Sequence, residues 1–369
     1  MDILPDLPND KPLKGRGAVS NTTGRYDRES RVRMDDGWGV LDGTNNINPE
    51  VPKPRTKVLV DASRSIIARN TSPDIPFDRS INPYRGCEHG CIYCYARPSH
   101  AWLGLSPGLD FETRILAKPD APRLLTRELT RKGYRPAPIA LGTNTDPYQP
   151  IERKLKITRR ILEVLNRYNH PVTIVTKSDG LIRDADILAP MAARNLAQVF
   201  ISITTLDNRL ARKLEPRTAS PAKRLAAIKA LNAAGIPTGV MVAPVIPALT
   251  DHEMDITLNA AIGAGAKEAG YILLRLPLEV KDLFEQWLRA HYPDRADRVL
   301  NLVRETHGGG FNDSFFGRRM RGQGVYAELI RKRFELARRR LGFGSEDLPA
   351  LDVTQFTPPG AEKKQLSLF

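Results

Sequence analysis

The chain has 369 residues, 41% hydrophobic and 27% charged, enough for one large α/β domain with tails or two small domains around a sizeable core. Its 56 Lys and Arg outweigh 42 Asp and Glu, and the resulting +14 at pH 7 points to a polyanionic partner or substrate. The start, Met1-Asp-Ile-Leu-Pro-Asp, lacks the basic-then-apolar pattern of a secretory signal, and the apolar run 236–250 carries three prolines. A cytoplasmic protein that does not cross a membrane is therefore expected.

Residues 1–56 are polar, rich in Gly, Asn, Asp and Arg, and without sustained periodicity, so they read as a flexible N-terminal extension. Order is expected from Lys57. Residues 58–60 and 77–83 read as strands, followed by strand-like runs at 138–142, 172–176, 199–204, 238–243 and 271–276. Helical patterns at 151–168, 181–194, 222–234, 254–266 and 280–291 separate them. This alternation predicts an α/β fold with a parallel sheet, and six units predict an open partial (β/α)6 barrel, with its core at 57–295. Residues 296–343 read as a basic helical extension, and 344–369 as a flexible tail.

All three cysteines, Cys87, Cys91 and Cys94, fall in the run Asn82-Pro-Tyr-Arg-Gly-Cys-Glu-His-Gly-Cys-Ile-Tyr-Cys-Tyr-Ala-Arg97. Three thiols at this spacing cannot all pair as disulfides, and they suit an iron-sulfur cluster in which three thiolates leave one iron open. A zinc knuckle completed by His89 or His100, or a plain buried thiol cluster, are the alternatives. The basic excess is concentrated between residues 318 and 340. There Arg318, Arg319, Arg321, Arg331, Lys332, Arg333, Arg338, Arg339 and Arg340 face only Glu328 and Glu335. A nucleic-acid contact or a solvated helix face both fit this pattern. The Gly-rich turn at 307–314 reads as a loop.

The cysteine spacing, with Tyr93 before the third cysteine, resembles the signature of the radical S-adenosylmethionine (SAM) enzymes. The flanking Asn-Pro-Tyr-Arg-Gly and Tyr-Ala-Arg resemble the bacterial group related to spore photoproduct lyase, called DNA repair photolyase-like. The resemblance implies a 4Fe-4S cluster on the three cysteines and SAM on its open iron. Reductive cleavage would give a 5′-deoxyadenosyl radical that abstracts hydrogen from a substrate, with an electron donor such as flavodoxin or ferredoxin. It further implies SAM contacts from Gly142, Thr143, Asn144 and Thr145 after the second barrel strand and from Ser202 and Thr204 on the fourth. Arg217 is implied as a carboxylate partner, Tyr93 and the ends of the last two strands lie at the adenine, and Lys177 closes the third strand toward the mouth. The lyase uses an additional cysteine as hydrogen donor; this chain has none, so a tyrosine or regenerated 5′-deoxyadenosine would have to serve, or the reaction differs.

The chain ends Lys363-Lys-Gln-Leu-Ser-Leu-Phe369. Gln365, Leu366, Leu368 and Phe369 resemble the short peptide by which bacterial repair proteins bind the β sliding clamp; a stray hydrophobic terminus is the bland alternative. Three readings follow: a radical SAM enzyme acting on nucleic acid, one modifying a protein or small metabolite, and a non-catalytic iron-sulfur DNA-binding protein. The first assigns nucleic-acid contacts to Arg318, Arg319, Arg321, Arg331, Lys332, Arg338 and Arg339.

Overall fold

A computed structural model describes residues 12–26, 55–345 and 348–358. Among them ten strands build two sheets. The smaller joins β1 (Lys57–Val60), β5 (Arg114–Ala117) and β4 (Tyr84–Arg85). The larger runs from β10 (Glu268–Leu273) through β9 (Thr238–Val245), β8 (Ala197–Ser202), β7 (Val172–Thr176), β6 (Ile139–Leu141) and β3 (Arg79–Ile81) to β2 (Ile67–Arg69). Every neighbouring pair from β3 to β10 is parallel, and only β2 joins antiparallel. The six parallel strands expected from the sequence are thus present, and the sheet ends at β10 and β2 without closing. Helices pack on the buried face of this sheet, where Val172, Ile174 and Val199 meet Leu162, Leu165, Ile187 and Leu188.

Local chemistry explains the elements. In β7, Val172, Ile174 and Thr176 alternate inward with the two-residue period of a strand. The helix Pro221–Ala233 starts where Ser220 accepts the Lys223 N–H and Pro221 takes a position that needs no donor. The single helix expected at 151–168 is instead two, Glu152–Leu155 and Ile157–Arg167, broken at Lys156 with φ +51°. The cause is Glu152, whose carboxylate accepts the N–H groups of Ile157 at 3.0 Å and Thr158 at 3.1 Å, capping the second helix from inside the first.

Two segments expected to be flexible are docked. Residues 16–20 are buried against the cysteine loop, where the Gly17 and Ala18 N–H groups donate to Glu112 at 3.0 and 2.8 Å. Residues 348–358 cross the N-terminal ends of the barrel strands. Asp352 N–H reaches Asn195 O at 2.9 Å, Thr357 N–H reaches Tyr168 O at 3.0 Å, and Phe356 packs against Tyr134 and His170. Neither segment carries a sustained helical or strand period, and each is held by backbone and carboxylate bonds together with a few apolar groups, buried Ala18 in the first and half-buried Phe356 in the second. The peptide from Gln365 to Phe369 lies outside the described residues. Among the described residues no helix is long and apolar enough to cross a membrane.

Candidate active site

The cysteine loop leads from β4 to the short helix Arg97–Leu103. Gly86 at φ +79° and Gly90 at φ +67° bend it where a Cβ would meet Phe111 O at 2.9 Å and Glu112 Oε2 at 2.7 Å. Beneath it, fully buried Arg97 donates to the carbonyls of Gly90, Cys91, Pro107 and Gly108, and to Glu112 Oε1 at 2.6 Å. The loop is thus fixed by an ion pair and backbone carbonyls independently of the thiols.

Cys87 and Cys91 are buried and Cys94 is half-buried. Burial raises the pKa of all three thiols, and Asp146 beside Cys87 and Glu215 beside Cys91 raise those two further. Thiolates at such a place need a cation, and an all-thiol donor set on one loop fits iron-sulfur ligation. Among the described residues no three His, Cys, Asp or Glu side chains already form a metal-holding group. The histidines weighed for zinc are engaged elsewhere: His89 Nδ1 lies 3.3 Å from Asp146, and His100 Nε2 lies 3.0 Å from Arg114 O.

At the C-terminal ends of the strands a polar floor faces this loop. Lys177, just after β7, donates from Nζ to Ser202 Oγ at 2.6 Å and to Ala243 O at 2.9 Å. Thr204 Oγ1 lies 2.6 Å from Glu215 Oε1 and 2.9 Å from Ala243 O. Tyr93 reaches down from the cysteine loop, its hydroxyl donating to Glu215 and lying 3.2 Å from Thr204 Oγ1. Glu215 also pairs with buried Arg224 and stands 3.6 Å from Lys177 Nζ. Burial alone would raise the Glu215 pKa; Arg224 and Lys177, with the two hydroxyls, overcome it and hold the carboxyl at about 2.

The loop after β6 forms the adjoining rim. Gly142 at φ +87° is required, because a Cβ there would lie 1.9 Å from Val175 O. Thr143 accepts the Tyr95 hydroxyl at its carbonyl, and the N–H groups of Asn144 and Thr145 donate to Asn82 Oδ1 at 3.1 and 3.3 Å. Thr145 is buried with its hydroxyl on Tyr84 O, so it braces the rim, whereas Thr143 and Asn144 are half-exposed. Asp146 ties the rim to β7 through the Thr176 hydroxyl at 2.7 Å and the Lys177 N–H at 2.8 Å.

Arg217 sits against the cysteine loop, its N–H donating to His89 O at 3.3 Å. Its guanidinium pairs with Glu88 of that loop at 3.3 Å, and it lines a cavity of about 200 Å³ with His89, Tyr148, Ser178, Asp179 and Lys223. Lys177 is the cation beside Ser202.

The basic helix Gly324–Leu341 packs Ala327, Ile330, Phe334 and Ala337 inward. Its charges are largely matched. Arg331 pairs with Glu328 and Glu335, Lys332 with Glu328, Arg333 with Asp255, and Arg338 with Glu268. Before the helix, Arg318 pairs with Asp313 and Arg319 with Asp74, and Arg321 lies over the Tyr271 ring at 4.4 Å. Arg339 is the one assigned nucleic-acid contact on this helix without an ion pair among the described residues.

The family model of the radical SAM superfamily matches residues 81–261, which span the cysteine loop and the barrel through β9. The chain belongs to the radical SAM superfamily. Uncharacterized proteins of Mycobacterium tuberculosis and Mycobacterium bovis are 38% identical to it over 232 residues, 62% of this chain and 68% of theirs. An uncharacterized protein of Methanocaldococcus jannaschii is 28% identical over 222 residues, 60% of this chain and 79% of that protein. Among solved structures, spore photoproduct lyase complexed with dinucleoside spore photoproduct aligns with TM-score 0.56 at 17% identity, covering 77% of this chain and 78% of that one. A mutant of that lyase with bound AdoMet and the same dinucleoside aligns with TM-score 0.53 at 16% identity, again over 77% and 78%. At such identity these structures establish the shared fold. This is a radical SAM enzyme, with SAM and an iron-sulfur cluster as its cofactors, and the non-catalytic reading is set aside.

In this radical SAM enzyme, motif reading singled out the cysteines, the rim and Ser202. It missed Glu215, Arg224, Asp146, Arg97 and Glu112, which position those groups. Glu215 stands two residues before Arg217 in the same motif, and its burial was the missing signal.

Proposed function

We propose that this radical SAM enzyme holds a 4Fe-4S cluster on Cys87, Cys91 and Cys94 and acts on nucleic acid. The observation that carries the site assignment is a glycine-bent triple-thiol loop lying over a floor where Lys177 stands beside Ser202. When bound, the cluster supplies the electron that cleaves SAM to methionine and a 5′-deoxyadenosyl radical. Lys177 receives the SAM carboxylate, with Ser202 and Thr204 beside it, since an ammonium on a buried hydroxyl floor is the available charge-assisted donor. Gly142 lets the rim backbone approach the methionine amino group, next to Thr143 and Asn144. Tyr93 closes the adenine side.

Nucleic acid as substrate is supported by the +14 charge and by the shared fold with a lyase solved with a dinucleoside lesion. Recruitment through the clamp peptide Gln365, Leu366, Leu368 and Phe369, and reduction by flavodoxin or ferredoxin, complete the reading. Carboxylate pairing along the basic helix favours a second reading, a protein or small-metabolite substrate. Anaerobic reconstitution with iron, sulfide, dithionite and SAM, followed by a panel of damaged DNAs, separates the two. Deuterium moving from a labelled DNA into 5′-deoxyadenosine is expected; SAM cleavage indifferent to every DNA would reject the nucleic-acid substrate. Loss of clamp pull-down on deleting 365–369, with SAM cleavage intact, is expected for the tail, and retained pull-down would reject it.

A further inference from the structure

Beside the mouth lies a strip of aromatic rings, each carrying a cation. Phe315 and Phe316 are adjacent and 65% and 55% exposed, unusual for two phenylalanines in sequence. Arg318 sits over the Phe315 ring at 4.7 Å and Arg319 over the Phe316 ring at 5.0 Å. Toward the cluster, Arg275 sits over Tyr95 at 4.5 Å, and Tyr95 directly follows Cys94. On the other flank, Phe311 lies between Lys281 at 5.4 Å and Arg304 at 4.8 Å.

The strip is held rigidly at its ends. Leu273 N–H donates to Met320 O at 2.9 Å and Leu276 N–H to Phe311 O at 2.8 Å, tying the loop to the end of β10. Arg319 forks onto Asp74 at 2.6 and 2.7 Å, and the Phe315 N–H donates to Asp313 at 2.8 Å. The rings are therefore presented to solvent by a braced loop.

The charges favour an anion. Asp74 and Asp313 face the strip, and they are taken by Arg319 and Arg318 respectively. Arg275 is half-buried, within reach of the Asp74 charge but with no carboxylate at ion-pair distance among the described residues. A half-buried guanidinium not held by a direct ion pair is a place for a phosphate oxygen, and guanidinium-backed rings are faces for bases. Resting on the nucleic-acid reading above, we propose that Phe315 and Phe316 stack unpaired bases while Arg275 takes a backbone phosphate, leading a single strand to the cluster side of the barrel. Duplex DNA keeps its bases stacked on one another and would not use the rings.

The test uses the full chain with its cluster reconstituted anaerobically. Binding of a fluorescein-labelled mixed-sequence single strand about twelve nucleotides long, and of the matching duplex, is followed by anisotropy at several salt concentrations. The single strand should bind more tightly than the duplex. Phe315→Ala with Phe316→Ala should weaken single-strand binding by about tenfold or more, with the salt slope unchanged, and the Trp double variant should restore it. Arg275→Gln should lower the salt slope by about 0.7, one phosphate contact on a single strand. Iron content and melting temperature confirm that each variant is folded. Wild-type binding that the Ala double variant retains would overturn the strip and leave the nucleic-acid reading standing. Equal affinity for duplex would do the same. Absence of any nucleic-acid binding by the wild type at low salt, or binding of only an acidic peptide control, would overturn both.

Discussion

Replacing Glu215 by Gln removes one charge from the floor while keeping its shape, and strands the guanidinium of Arg224 in the core. The Glu215 carboxyl sits at about 2 against an ordinary 4.5, because Arg224, Lys177, Thr204 and Tyr93 outweigh the burial that would raise it. The fall from 4.5 to about 2, at ~1.36 kcal/mol per tenfold change in acidity, corresponds to about 3 kcal/mol of stability at neutral pH, within the range for breaking a buried ion pair. The folded pKa is depressed, so this contribution is complete above pH 4.5 and is lost as pH falls toward 2. Urea unfolding of the cluster-free wild type and Glu215→Gln from pH 7 to pH 3 reads it directly. The variant should be about 3 kcal/mol less stable at pH 7, and the gap should narrow by about 2 kcal/mol at pH 3. A gap that does not change with pH would refute the assignment of the charge to Glu215.

Gly142→Ala forces a methyl into Val175 O at a left-handed φ and should destabilise by about 3 kcal/mol or more; a melting temperature within about 2 °C of wild type would contradict the geometry. Lys177→Met should raise the SAM KM for 5′-deoxyadenosine formation by roughly ten- to a hundredfold, the worth of a charge-assisted hydrogen bond; an unchanged KM would move the carboxylate site elsewhere. Glu112→Gln should cost about 3–5 kcal/mol by leaving Arg97 unpaired, and should lower the iron retained per chain in a chelation assay; wild-type values in both would show that the pair does not support the loop.

The barrel was legible because β7 and its neighbours alternate or run apolar, and each is followed by a segment of helical period. The break at Lys156 was not, since the apolar pattern continues through it and only the Glu152 carboxylate interrupts the helix. In the site, the cysteines and Gly142 announced themselves through local motifs. Glu215 did not, because its meaning lies in partners that only the fold brings to it: Tyr93, 122 residues distant, and Lys177, just after the strand that pairs with β8. The basic helix shows the converse. Counting charges found its arginines, yet Asp255 and Glu268, which answer Arg333 and Arg338, lie on other elements 78 and 70 residues away.

The seat of Gly17 and Ala18 on Glu112 has a consequence for the order of biosynthesis. The donors leave the ribosome first, but their acceptor follows 95 and 94 residues later, so this wall of the cysteine loop can form only after residue 112 is made. Until then the thiols have no roof on that side. A protease cut between residues 26 and 55 would turn the same seat into a two-molecule association, held by these bonds, Ser20 on Gln286 and Asn21 on the Asp110 N–H. Shelter of the cluster loop would then become a function of concentration, and dilution would expose it to oxygen.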